Sequence, residues 1–356
     1  MKLILEEFSE SAAFFHCSME NREKDHYELP CRAFHKSNSN FYGSYINEVP
    51  IRITKKDLPS NPAGYEIFDK TIEPKLKKKS VPDKVNIITF YGNSSLSLEE
   101  LLSFKDVNLL SDFGQRYNDH FVSLPFTLRF RDKKFPTSKI LEDIKQSFGD
   151  FVSQLKLSNL LGYVPAYGSF RELRNFVSLY LDNNVSIKSP EGKLNFVPLL
   201  IDLKNSSPDS SMRQLAELRQ IKMEYLNEGY YLFYYGFSPR TPGVSEKKKI
   251  NETLAKEFLL SYVGFDIIGS SYAMESTGGP QPNTPKMSAG IFDPLDFNYH
   301  LKAIKPGEHE TIKPRNLKTQ SDFFYGVTKQ MKKDRDSPLN ELKIRKNAFD
   351  YVESYK

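Results

Sequence analysis

Apolar and polar positions alternate along this chain on two scales. Six short, nearly continuous apolar runs recur: VNIITFYGN at 85–93, HFVSLPFTLR at 120–129, GYVPAYGS at 162–169, NFVPLLIDLK at 195–204, YYLFYYGFS at 230–238 and FDIIGSSYA at 265–273. Measured from Ile87, Phe121, Tyr163, Val197, Tyr231 and Phe265, the steps are 34, 42, 34, 34 and 34 residues. A run apolar at nearly every position suits a parallel strand covered on both faces. Between the runs the spacing changes to threes and fours: Phe170, Leu173, Phe176, Val177 and Tyr180, then Met212, Leu215, Leu218, Ile221 and Tyr225. Comparable stripes occupy 138–156 (Ile140, Leu141, Ile144, Phe148, Phe151, Val152, Leu155) and 250–262 (Ile250, Leu254, Phe258, Tyr262). One apolar stripe per helix is the pattern that packs on a sheet, and Gly229 is a natural helix stop before the fifth run.

Repeated strand–helix units predict an α/β fold. No GxGxxG text follows the first run (ITFYGNSS) and no GK[ST] occurs anywhere, so the phosphate loops of open nucleotide-binding sheets are missing. The near-constant step favours a (β/α)8 TIM-like barrel over residues 1–301. In that reading ESAAFFHCSM at 10–19 is a first strand and IFDPLDFNYHL at 291–301 holds the last. Residues 20–84 are a long irregular insertion with short-strand candidates such as YINEVPIRIT. Residues 302–320 form a linker, and 321–356 a C-terminal helical segment.

Composition narrows the class. With 39% hydrophobic and 13% aromatic residues in 356, the chain can bury a large core. Two cysteines, Cys17 and Cys31, exclude a cysteine-built zinc site and a disulfide framework. Six scattered histidines form no HxH or HExxH pair. The N-terminus lacks an unbroken apolar signal core and no stretch approaches the length of a membrane span, so a cytoplasmic protein without membrane contact is expected. The net charge of +5 permits a nucleic-acid partner through basic loops. The contributing residues are Lys75, Lys77, Lys78, Lys79, Arg129, Arg131, Lys133, Lys134, Arg240, Lys247, Lys248 and Lys249.

Active sites of such folds lie at the carboxyl ends of the strands. That position nominates Asp202 and Lys204 as catalytic residues, because they follow VPLLI directly; a carboxylate there can serve as base, nucleophile or acceptor. The alternative is an Asp that caps the next helix or pairs with Lys204. Asn93, Arg129, Tyr167, Ser169, Ser238 and Ser270 are nominated as substrate-binding residues, with Arg131, Arg240 and Ser271 near them. The Gly-rich Ser276–Gly279 stretch reads as a surface loop. No cofactor is implied by this set.

Two further patterns bear on function. Glu191 followed by Asp202-Leu203-Lys204 matches the acid…(D/E)xK spacing of PD-(D/E)xK nucleases, in which two carboxylates bind a divalent metal and the lysine orients water. A helix with Gln214 and Tyr225 follows it. The second pattern is GYYLFYYGFS, a helix, GFDIIGSSYAMESTGG and FDPLD, within residues 195–297. It resembles the late barrel units of tRNA-guanine transglycosylases and their relatives in DNA deazaguanine insertion. The resemblance implies a transferase that modifies a base of tRNA or DNA. The family's nucleophilic aspartate falls at or near Gly269, its zinc cysteines are missing and no DSGG-like text occurs. Asp202 is then the best surviving acidic group. A non-catalytic nucleic-acid-binding protein on the same scaffold is the third reading.

Overall fold

The computed structural model describes residues 1–10, 12–21, 24–35, 46–57, 64–81, 84–92, 95–98, 100, 115–117, 119–127, 138–139, 142, 144, 147–149, 152, 157, 159–204, 207–240, 244, 249–269, 288–305 and 308–355. A hairpin sheet leads: β1 (Lys2–Ser9), β2 (Phe14–Glu20) and β3 (His26–Leu29) pair antiparallel. The main sheet takes β4 (Cys31–Arg32), β5 (Phe34–His35), β6 (Asn47–Ile53), β7 (Asn86–Gly92), β8 (Phe121–Ser123), β9 (Phe126–Thr127), β10 (Leu160–Pro165), β11 (Ile187–Lys188), β12 (Asn195–Asp202), β13 (Tyr230–Phe237) and, later in the chain, β15 (Ile267–Ile268). A third sheet is antiparallel and joins β14 (Glu252–Leu254), β16 (Ser288–Asp293) and β17 (Asn298–Ala303). The helices with described bounds are α1 (Gly64–Lys79), α2 (Phe170–Asp182), α3 (Met212–Asn227), α4 (His309–Met331), α5 (Ser337–Lys343) and α6 (Lys346–Glu353).

The strand path of the main sheet is β4-β15-β13-β12-β10-β8-β7-β6-β5. All of its ladders are parallel except the side pairing of β11 on β12. The six apolar runs are therefore neighbours in one sheet. Their continuous hydrophobicity has the expected cause: β12 and β13 are buried at every residue after the first. In α2 the buried side chains are Leu173, Phe176, Val177 and Tyr180, and in α3 Leu215, Leu218, Ile221 and Lys222.

The (β/α)8 TIM-like barrel is not what these units build. The path has two ends, β4 and β5, rather than a ring of paired strands, and β8 passes to β9 without a helix. Both ends come from one stretch of chain: Cys31 N donates to Asp266 O (3.1 Å) and Ala33 N to Ile268 O (3.0 Å), while Phe34 N donates to Ile46 O (2.9 Å). The sheet is thus curled and mostly parallel, with both edges supplied by residues 31–35, and two antiparallel sheets flank it. The expected first strand lies in the hairpin sheet as β2, and the expected last strand in the third sheet as β16 and β17. The 20–84 stretch is no insertion, because it carries β4, β5, β6 and α1 of the main layer. The helix expected over 250–262 is strand β14 followed by a 3-10 turn at Phe258–Val263, and α4 starts inside the stretch read as a linker. Short apolar runs in a polar stretch hid the two edge strands. β4 pairs with β15, more than 200 residues on, and β5 with β6 across the next loop; a two-residue strand leaves no local period in either case.

Candidate functional site

Asp202 ends β12 with its side chain wholly out of solvent. One carboxylate oxygen accepts from Tyr163 Oη on β10 (2.8 Å), and the other from the backbone N–H of Lys204 (2.9 Å). The second bond closes a two-residue Asx turn, and Lys204 sits at φ +56°, in the left-handed region. Asp202 therefore shapes its own turn. Register explains the meeting with Tyr163: Pro165 pairs with Asp202 and Tyr163 with Leu200 across the β10–β12 ladder. The Lys204 ammonium does not pair with Asp202; it stands over the Tyr167 ring, 5.1 Å from its centroid. Tyr163 and Tyr167 hydroxyls are 3.3 Å apart. Tyr167 and Lys204 are half-buried, so they are the solvent side of the group.

A floor of rings extends from Asp202 across the concave face. Tyr163 stacks on Phe126 (4.6 Å between centroids), Phe126 meets Phe237 edge-on (5.4 Å), and Phe237 lies 6.3 Å from Tyr235. At the far end Tyr235 Oη donates to Glu48 Oε1 (2.6 Å). Glu48 on β6 is buried, like Asp202. Two buried carboxylates, each held by a tyrosine hydroxyl, thus bracket one aromatic floor. Glu48, Tyr163 and Tyr235 escaped nomination. Glu48 lay in a stretch read as an insertion, and the tyrosines read as core. The available signal was the single carboxylate inside the apolar run INEVPIRI.

The other nominated residues divide. Ser169 is exposed and is the N-cap of α2: Glu172 N donates to its hydroxyl (3.4 Å) and Ser169 N to the Glu172 carboxylate (2.7 Å), a reciprocal capping box. Ser238 follows β13 at φ +55°; it is buried, and its hydroxyl has no partner among the described residues. Arg240 is exposed. Asn93, Arg129, Arg131, Ser270 and Ser271 lie outside the described residues, as do Lys133, Lys134, Lys247, Lys248 and the Ser276–Gly279 stretch.

The nuclease constellation is not assembled. Glu191 is exposed in the turn before β12 and pairs with Lys193 (2.7 Å), which lowers its pKa. Asp202 ends that strand, roughly 23 Å further on at about 3.3 Å per residue from Asn195. The basic run at 75–79 is helical rather than a loop: Lys75 binds Asp57 (2.7 Å), Lys77 binds Glu73 (3.1 Å) and Lys79 Nζ donates to Pro50 O (2.8 Å). Lys75, Lys77 and Lys79 are thus engaged within the fold.

Among the described residues one group could hold a cation. Glu252, Asp296 and His300 bring ligand atoms within 4.8 Å of one another on the third sheet. His300 Nε2 meets Asp296 (2.7 Å) and Nδ1 faces Glu252 (3.8 Å), so the carboxylates lie on opposite ring nitrogens, and plain ion pairing accounts for the group. Among the described residues no helix is long and apolar enough to cross a membrane.

Comparison with family models finds no match, and comparison with curated proteins finds none either.

Proposed function

We propose that the chain is an enzyme of the transferase class acting on a nucleic-acid base or nucleotide, similar in chemistry to the transglycosylases, with Asp202 as its central carboxylate. The observation that carries this reading is the buried Asp202 carboxylate, oriented by Tyr163 and the Lys204 amide beside stacked rings at the carboxyl end of the parallel strands. A planar base offers N–H donors to such an acceptor and a π face to such rings. Lys204 and the exposed Arg240 supply positive charge on the same side for a phosphate. In this reading Asp202 accepts from the base and Lys204 steers the backbone. The site needs no metal for that recognition, and none of the basic residues at 75–79 takes part.

The test is base exchange. A tritiated purine base is offered with tRNA or duplex DNA, and label in the polymer is counted for the wild type and for Asp202→Asn. Label transferred by the wild type and lost in the variant supports the reading. Polymer bound without label transfer makes the chain a binding protein. Neither binding nor transfer overturns the nucleic-acid reading.

A further inference from the structure

The positive charge of the chain is concentrated in residues 302–356. They carry thirteen Lys and Arg against eight Asp and Glu, a surplus equal to the +5 of the whole chain, so residues 1–301 are balanced. Much of this stretch is α4, a 23-residue helix with two unlike faces. Ile312, Asn316, Gln320, Phe324, Val327 and Met331 recur at steps of three and four and are buried in the fold. The opposite face carries Arg315, Lys318, Asp322, Tyr325, Lys329 and, just past the helix end, Lys333, all exposed. Lys318 pairs with Asp322 (2.6 Å), the only acid between Arg315 and Lys333. Lys332 pairs with Glu28 (3.5 Å). The side chains of Arg315, Lys329 and Lys333 make no ion pair or hydrogen bond among the described residues.

Tyr325 stands in the middle of this face, 58% exposed, and is the one exposed tyrosine or phenylalanine among the described residues. The helix dipole favours a cation in the last turn, which accounts for Lys329. It gives no reason for Arg315 in the second turn, nor for a ring held out in water. A polyanion that carries planar bases answers both: its phosphates take the cations and a base takes the π face of the ring. We propose that the solvent face of α4 docks single-stranded nucleic acid, with Arg315, Lys329 and Lys333 on phosphates and Tyr325 stacked on a base. A single strand fits better than a duplex, because only unpaired bases can splay out onto a surface ring. From Arg315 to Lys329 the face is about 21 Å long at about 1.5 Å per residue, room for several nucleotides. The proposal takes up the nucleic-acid part of the proposed function and does not depend on the role of Asp202.

The test is binding of fluorescein-labelled oligo(dT) and oligo(U) to the full chain, read by anisotropy over a series of salt concentrations. Arg315→Gln, Lys329→Gln and Lys333→Gln combined are expected to weaken binding at least about tenfold at low salt. They are also expected to flatten the log–log salt slope by about 2, at about 0.7 for each single-strand phosphate released. Tyr325→Ala is expected to weaken binding at least about fivefold at an unchanged slope, the scale of one lost base stack, and Tyr325→Phe to bind like the wild type. All four positions are exposed, and thermal melts check that the variants are folded. If the triple variant binds with the wild-type affinity and slope, the α4 surface is overturned and the nucleic-acid reading passes to another face. Tighter binding of a duplex than of the single strands, indifferent to Tyr325→Ala, overturns the single-strand proposal. So does capture by phosphatidylserine vesicles without affinity for either oligomer. A wild type that binds neither the oligomers nor a duplex at low salt takes the polymer reading down with the surface.

Discussion

Lys222 of α3 reaches Asp266, just before β15, at 2.8 Å with both side chains out of solvent. The Lys222 ammonium also donates to Gly264 O (2.7 Å) and lies over the rings of Phe15 and Tyr231, 4.4 and 4.2 Å from their centroids. Asp266 accepts in addition from Tyr231 Oη and from Tyr234 N (2.7 Å). Burial lowers the pKa of Lys222 and raises that of Asp266; each partner opposes the shift of the other. The pair ties the hairpin sheet, α3 and the start of β15 together.

Removing one member strands a buried charge. Lys222→Met is expected to destabilise the chain by about 3–5 kcal/mol. Urea unfolding measures this. The double variant Lys222→Met with Asp266→Asn, which removes both charges, is expected to recover part of the loss. If the double variant is as unstable as the sum of the single variants, the two groups are not acting as a pair.

Ser169 separates capping from binding. Ser169→Ala removes the side-chain half of the α2 capping box and is expected to cost about 1 kcal/mol. Base exchange by this variant is expected to stay at the wild-type level. Loss of exchange in a variant with wild-type stability would return Ser169 to the substrate.

Acid stability reports on Glu28. The His16 hydrogen bond holds the Glu28 carboxyl well below its ordinary value, at about 2, with His26 and Lys332, the C-cap of α4, also facing it. A depressed carboxylate stabilises the fold above its unfolded pKa, and that contribution fades as pH falls through the folded value. The wild type is expected to lose stability between roughly pH 4.5 and pH 2 from this group, on the reference scale for Glu. Glu28→Gln is expected to be less stable at pH 7 and to converge on the wild type toward pH 2. Parallel stability curves for the two proteins across that window would contradict the assignment.

Gly162 tests packing between β10 and α2. A Cβ there would stand 2.6–2.7 Å from the ring carbons of Tyr180, whose hydroxyl donates to Tyr163 O (2.8 Å). Gly162→Ala is expected to cost about 1–3 kcal/mol through overpacking. Adding Tyr180→Phe removes the hydroxyl but not the clash, so it is not expected to restore stability; Tyr180→Leu, a smaller side chain, is expected to relieve part of the clash. Denaturant unfolding of the set decides this.

The chain by itself determined the parallel layer and its helical cover. Apolar residues at nearly every position mark β7, β10, β12 and β13 because both faces of those strands are buried, and the stripes of α2 and α3 mark their packing faces. It also placed Asp202 at a strand end. Only the tertiary structure decided how the layer finishes. The edges at β4 and β5 are two residues each, too short to carry a period, and their partners are β15 and β6. The antiparallel pairing that takes β2 and β16 out of the main sheet is likewise a choice of partner, not of local pattern. The meeting of Glu48 with Tyr235 joins residues 187 apart in the chain. Periodicity records which face of an element is buried; it carries no record of which distant side chain arrives there.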